Sequence, residues 1–520
     1  MRHKHLFHAA LLLMAAVLAG CANDDSTQNE GTQNNTATEA GIVTFASENP
    51  ETRTTIEHSL GQGAKPYWSA GDKIWVKDTE GKFQQSGAGK FNSDMTHGVF
   101  TLSGTFSNGC TVHYTGANST AGDKVTIANK QTQSQPNDFS HAGVSGDCGS
   151  ATASGNGSSF KFRLDHKASY LCFLPRTSNE FVKRSTLYQI EIVSESPIAG
   201  TYDFSNGTLS NTPVSDASNT IMLTTGTMGF PITNSSTDIT KNGAYVVIAP
   251  GNHTLTVRYW LHYKTATEDI KGTITKTFTL NCEAGKIYDI TAKLDPTDYS
   301  YKKYYMWDCA SGQDYWKGYE SNQPKTKDAP AGSSYPKSES DPRWYNKQAF
   351  PAPAYRSCGG CPNVNETWWY IQYGDPHWDS EELWVMYEHL YTGGMWFKKK
   401  DYILTPNFNS NLAPDGKDYT TLAASAFYEN NNAVIGRPDD IEKYFYLPAL
   451  GSYNQGKFYN IGEDGNYWTC TPTPWNNSPG VATDGAYYLY FSLDHNGTKG
   501  TAKLYGGANR YKGFTWWEKK

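Results

Sequence analysis

From residue 41 to about residue 295, apolar side chains recur with a period of two, in short runs parted by Gly, Asn and Ser. Ile42-Val43-Thr44-Phe45 opens the series, and Lys73-Ile74-Trp75-Val76-Lys77 alternates cleanly. Leu255, Val257 and Tyr259 share one face of a later run, as do Tyr288, Ile290, Ala292 and Leu294. Such spacing between short polar turns predicts the strands of β-sandwiches. Gly143 to Ser159 is rich in Gly, Ser and Ala and reads as a loop or linker, which divides the region into sandwiches at 41–159 and 160–296. Past Asp295 the alternation fades, and twelve of the 15 tryptophans lie between Trp307 and Trp517. Asp379 to Leu390 predicts a helix: Asp379 or Ser380 can cap it, Glu381 and Glu382 fill its first turn, and Leu383, Met386, Tyr387 and Leu390 form a stripe. Strands are expected at Met395-Trp396-Phe397, Phe445 to Pro448, Asn466 to Trp468 and Ala486 to Phe491. The expected fold class is therefore mainly β: two tandem β-sandwiches, then an α+β domain over 297–520.

The chain begins differently. Arg2 to His5 make a partly cationic head, Leu6 to Val17 is mostly apolar, and small residues follow, as in a secretory signal peptide over residues 1–20. Leu18-Ala19-Gly20-Cys21 resembles the bacterial lipobox, which implies a diacylated Cys21 as the first mature residue. Ala22-Asn23-Asp24-Asp25 resembles the acidic tag of Bacteroidetes lipoproteins carried to the outer face of the outer membrane. Residues 21–40 have almost no apolar side chain and read as a flexible tether. The first basic residue after Cys21 is Arg53. Net charge is −6 with no basic stripe, so no nucleic-acid partner is expected. The one long apolar stretch lies at the N-terminus, which excludes a polytopic membrane protein.

Trp68-Ser69-Ala70-Gly71-Asp72-Lys73-Ile74, within 41–295, is similar to the Trp-x-x-Gly-Asp-x-Ile turn of the fimbrillin family of Bacteroidetes, the subunits of type V pili. Gln131 to Pro136 resembles its Gln/Pro segment, and Phe162-x-Leu164-x-His166-x-x-Ser169 the strand opening its second domain. Ala249-Pro250-Gly251 and Ala284 to Tyr288 are similar to its closing strands. The resemblance implies transthyretin-like sandwiches, other fimbrillin subunits as partners through donor-strand insertion, and proteolytic maturation after an Arg, here Arg53. Leu447-Pro448-Ala449-Leu450-Gly451, Gly465 to Thr469 and Tyr488-x-Tyr490-Phe491 resemble the major-paralogous-domain family, related to the C-type-lectin fold. Gly513 to Trp517 replaces that family's Arg-Pro-Val ending.

Nine cysteines leave eight after Cys21. Cys358 and Cys361 form C-x-x-C, for which a local disulfide, a metal knuckle and a redox dithiol compete; the disulfide fits an exported chain best. A zinc knuckle would need His377 and His389. Cys309 and Cys470 are a second candidate pair. His377 lies between Asp375 and Asp379 and reads either as an acid–base group or as part of a helix-capping loop. Neither a nucleophile elbow nor a zincin or phosphate-loop motif occurs, so no enzyme, cofactor or metal is expected. Trp475-Asn476-Asn477 sets an indole beside two amides, a pattern suited to stacking on a sugar and binding its hydroxyls; it is similar to the Trp-Asn-Asp of C-type lectins without the Asp. The expectation is a surface-exposed outer-membrane lipoprotein that becomes a pilus tip adhesin and binds a host or microbial glycan or protein through its C-terminal domain. The rivals are a non-polymerised glycan-binding surface lipoprotein and a surface enzyme.

Overall fold

The computed structural model describes residues 41–48, 55–474 and 484–520. The chain is mainly β. The first sandwich opposes two five-stranded sheets. One runs, in spatial order, Ser154–Asn156, Ser159–Phe162, Ile42–Ser47, Gly98–Ser103 and Lys90–Phe91; the other runs Asp165–His166, Gly149–Thr152, Thr111–Tyr114, Trp75–Lys77 and Phe83–Gln85. Period two does the work here: Val43 and Phe45 point inward with Phe100, Leu102, Phe160 and Phe162, while their sequence neighbours face out. Trp68 joins this core, and Asp72 closes its turn by accepting from the Ser69 amide at 2.5 Å, with Gly71 at φ 93°.

The expected boundary at 159/160 falls inside a hairpin of this sandwich, Ser154–Asn156 with Ser159–Phe162. The Gly/Ser/Ala composition that reads as a linker serves close packing: a Cβ on Gly155 would collide with the Ser159 carbonyl, and one on Gly149 would sit 3.2 Å from that of Asp165. Two earlier strands belong to the second sandwich. Lys124–Ile127 pairs with Ala199–Asp203, and Lys130–Gln133 runs parallel to Thr220–Thr225. The sandwiches are thus interlocked rather than strictly consecutive.

The second sandwich packs a sheet led by Lys130–Gln133, Thr220–Thr225, Thr186–Ser194, Gly251–Lys264 and Asp269–Cys282 against the sheet Ala244–Ile248, Ser169–Arg176, Ile287–Lys293. Gln131 and Gln133 stitch the two layers. The Gln131 amide donates to the Val247 carbonyl at 2.7 Å and accepts from its N–H at 3.0 Å. Gln133 does the same for the Gly243 carbonyl and the Tyr245 N–H, at 2.8 and 2.7 Å. Two side chains thereby satisfy a sheet edge that would otherwise be buried without partners.

The third unit is α+β: a seven-stranded sheet ordered Tyr444–Pro448, Gly394–Lys398, His377–Asp379, Tyr428–Ile435, Gly500–Asn509, Gly485–Leu493, Asp464–Pro472, with the helix Val364–Tyr373 against it. The helix expected over 379–390 does not form. Asp379 accepts from the Glu381 and Glu382 amides, and the hairpin Trp384–Met386/His389–Tyr391 follows, turning through Tyr387 and Glu388 at φ 51° and 66°. Both faces of that hairpin are buried, Leu383, Val385 and Leu390 against the second sandwich and Trp384 and Met386 inside the third unit. A hairpin with core on both faces shows no alternation, so it mimics a helical stripe.

The third unit docks on the outer edge strand Asp269–Cys282. The Thr273 N–H donates to the Glu381 carbonyl at 2.6 Å, and the Leu383 N–H to that of Thr273 at 3.1 Å. Arg258 joins Glu191 to Glu381, and Arg437 joins Glu382 to Thr275. An edge that would invite pairing is covered.

Candidate functional site

Five of the residues singled out from sequence, Cys21, Arg53, Trp475, Asn476 and Asn477, lie outside the described residues. Cys358 and Cys361 are within them, and the expected disulfide is absent: both are buried free thiols, as are Cys309 and Cys470. The Asp308 carboxylate holds their loop instead, accepting from the Tyr355, Arg356 and Cys358 amides at 3.2, 2.7 and 3.4 Å. Burial, and then the adjacent Cys361, push the Cys358 thiol well above its ordinary range. The other two residues of the zinc-knuckle reading face elsewhere, His377 toward Asp375 at 3.6 Å and His389 toward Glu268 at 3.9 Å.

Two features could carry function. The first is the seat of the strand Ile42–Ser47. It pairs antiparallel with Gly98–Ser103 and parallel with Ser159–Phe162, so it lies inside its sheet, not at the rim. Phe45 is fully buried, stacked on Phe160 at 4.9 Å and set edge-on to Phe106 at 5.2 Å. Without this strand, a slot lined by Phe100, Leu102, Phe106, Phe160 and Phe162 would open between two strands with unpaired edges.

The second is an open cleft of about 460 Å³ on the third unit. Alternation in Gly485–Leu493 builds it: Tyr487, Leu489 and Phe491 enter the core, and Tyr488 and Tyr490 take the other face. Register sets Tyr505 opposite Tyr488 and Lys503 opposite Tyr490, with Asn466 on the far side of Tyr490. Tyr488 and Tyr505 stack at 5.6 Å and 21°, and Tyr490 stands against Tyr505 at 6.0 Å and 64°. The wall comes from the hairpin Ser452–Asn454/Lys457–Tyr459, with Asn460 and Lys512 at the rim. Asp464 accepts from the Asn460 and Asn466 side-chain amides, both at 2.9 Å. Burial pushes its carboxyl up to about 6 against those two hydrogen bonds. The Asn454 side-chain carbonyl is buried with no protein partner. Aromatic faces beside amides, a carboxyl and ammonium groups suit a polar ligand with flat apolar patches. The tyrosines at alternate positions of Tyr488-x-Tyr490 are the signal in the sequence that marks this cleft.

No family model matches the chain, and no curated protein matches it. Similar solved structures include a candidate cell adhesion protein of Bacteroides ovatus, 13% identical with a TM-score of 0.32, the match covering 49% of this chain and 93% of that one. A fimbrial protein of Bacteroides ovatus is 11% identical with a TM-score of 0.23, over 52% of this chain and 53% of that one. The fimbrial anchor protein Mfa2 of Porphyromonas gingivalis is 10% identical with a TM-score of 0.22, over 49% and 91%.

Proposed function

We propose that this chain is a binding protein of the cell surface, not an enzyme: a fimbrillin-type pilus subunit, anchored through lipid on Cys21 until proteolysis after Arg53 releases it, with its ligand-binding surface on a lectin-like C-terminal unit. The observation that carries this reading is the seat of Ile42–Ser47, one central strand that supplies Phe45 to a closed core. Cutting at Arg53 frees that strand, and a strand from a second subunit then restores the lost hydrogen bonds and fills the slot. The C-terminal strands support a tip position. Gly500–Asn509 is paired on both sides. A subunit built in this way accepts a strand more readily than it gives one.

The tyrosine-floored cleft is the ligand seat in this reading. Sugars offer flat C–H faces to aromatic rings and hydroxyls to amides and carboxyls. The full chain on a glycan array tests it, and Tyr488→Ala should weaken binding by about 1–3 kcal/mol, the range for stacking lost to alanine. Undiminished binding by Tyr488→Ala would move the ligand off this face. For the anchor, Cys21→Ser should lose palmitate labelling and leave the membrane fraction. Arg53→Ala should stay on the membrane unassembled.

A further inference from the structure

The register of the second sandwich places three side chains in one rung across three adjacent strands. Tyr245, Cys172 and Asp289 are cross-strand partners in Ala244–Ile248, Ser169–Arg176 and Ile287–Lys293. His58, from the hairpin Thr55–His58/Ala64–Tyr67, comes down on the same rung. Its Nε2 lies 2.8 Å from Asp289 Oδ1, and its ring stands edge-on to Tyr245 at 6.3 Å. The ligand atoms of His58, Cys172 and Asp289 all lie within 4.8 Å of one another. Tetrahedral zinc, with bonds of about 2.0–2.3 Å, needs its ligand atoms roughly 3.3–3.8 Å apart, so small side-chain movements suffice.

We propose that His58, Cys172 and Asp289 form a site for a borderline-soft divalent cation, zinc being the best match to one imidazole, one thiolate and one carboxylate. No other cluster of three such groups occurs among the described residues. His58 and Cys172 are buried and Asp289 reaches solvent, which provides a way in for the ion. The Asp289 second oxygen already accepts from the Gly61 N–H at 2.9 Å, which fixes the carboxylate. Binding replaces the Cys172 thiol proton: the S–H bond breaks, an S–metal bond forms, and the proton leaves to water. Affinity therefore rises with pH. The cation would tie the hairpin that follows Arg53 to the second sandwich, so that the new N-terminus made by cleavage there stays fastened to the body of the subunit.

Cobalt(II) titrated into the chelator-stripped full chain reads the site directly. The expected result is one equivalent bound, with the visible bands of a tetrahedral ion and a near-ultraviolet thiolate-to-cobalt band. That band should vanish in Cys172→Ala and persist in Cys358→Ala. Asp289→Asn, a change on a partly exposed side chain, should weaken binding at least about tenfold and keep the fold. Absence of the thiolate band in the unmodified chain, its survival in Cys172→Ala, or unchanged affinity in Asp289→Asn would overturn the assignment.

Discussion

Asp464 sits in the floor of the cleft at 8% exposure, and its environment is arranged against ionisation. Burial raises its carboxyl from 3.8 to about 6, although the Asn460 and Asn466 amides hydrogen-bond to it. The folded state thus holds its proton more tightly than the unfolded chain does. The stability this gives is complete below about pH 4 and is lost as pH rises through about 6. A shift of about two pH units is worth on the order of 3 kcal/mol. Asp464→Asn should remove that slope, so unfolding curves of the two proteins at pH 4.5 and 7 should converge at the acid end and separate at neutral pH, with the variant more stable. Ligand binding in the cleft should change over the same interval in the native chain and stay flat in the variant. A native chain with no such slope would place the carboxyl in water. Phe45 makes the complementary case in the first sandwich: fully buried between Phe160 and Phe106, it should cost about 3–5 kcal/mol when cut to alanine, measured by denaturant unfolding.

Among elements, those with one wet face were legible and those buried on both faces were not. Ile42–Ser47 and Gly251–Lys264 alternate in sequence because one face is core and the other is not. The hairpin at 384–391 has core on both sides, and the helix Val364–Tyr373 is buried from Val364 to Ile371, so neither carries a pattern. The helix did leave one local signal, Asn363 with Glu366, which close a capping box. The 149–162 strands hid behind small residues that close packing requires. For the candidate sites, the cleft tyrosines were readable as alternation, whereas the His58–Cys172–Asp289 rung depends on a register spanning over 200 positions and leaves no local trace. The docking edge yields its own test. A Cβ on Gly272 would fall 2.6 Å from both the Glu381 carbonyl oxygen and Leu383 Cγ. Gly272→Val should loosen the third unit from its edge strand, seen as faster proteolysis around residues 295–300 with the two sandwiches intact. Unchanged cleavage would mean that the interface yields without separating.

At the scale of the whole molecule, the two sandwiches interleave in sequence and the second shares its core with the third unit through Leu383, Val385 and Leu390. Binding assays therefore belong on the full chain. One strand stands apart from that interlock. Ile42–Ser47 reaches the rest of the molecule in sequence only through residues 48–54, which include Arg53, yet it lies in the middle of a sheet and closes a core. The central claim is that this strand is a removable part whose place another subunit takes. Mass spectrometry of the subunit recovered from assembled pili tests it most directly. The account predicts a chain that begins at Thr54, with no peptide from Ile42–Ser47. A subunit recovered from pili with residues 42–53 still attached would contradict it.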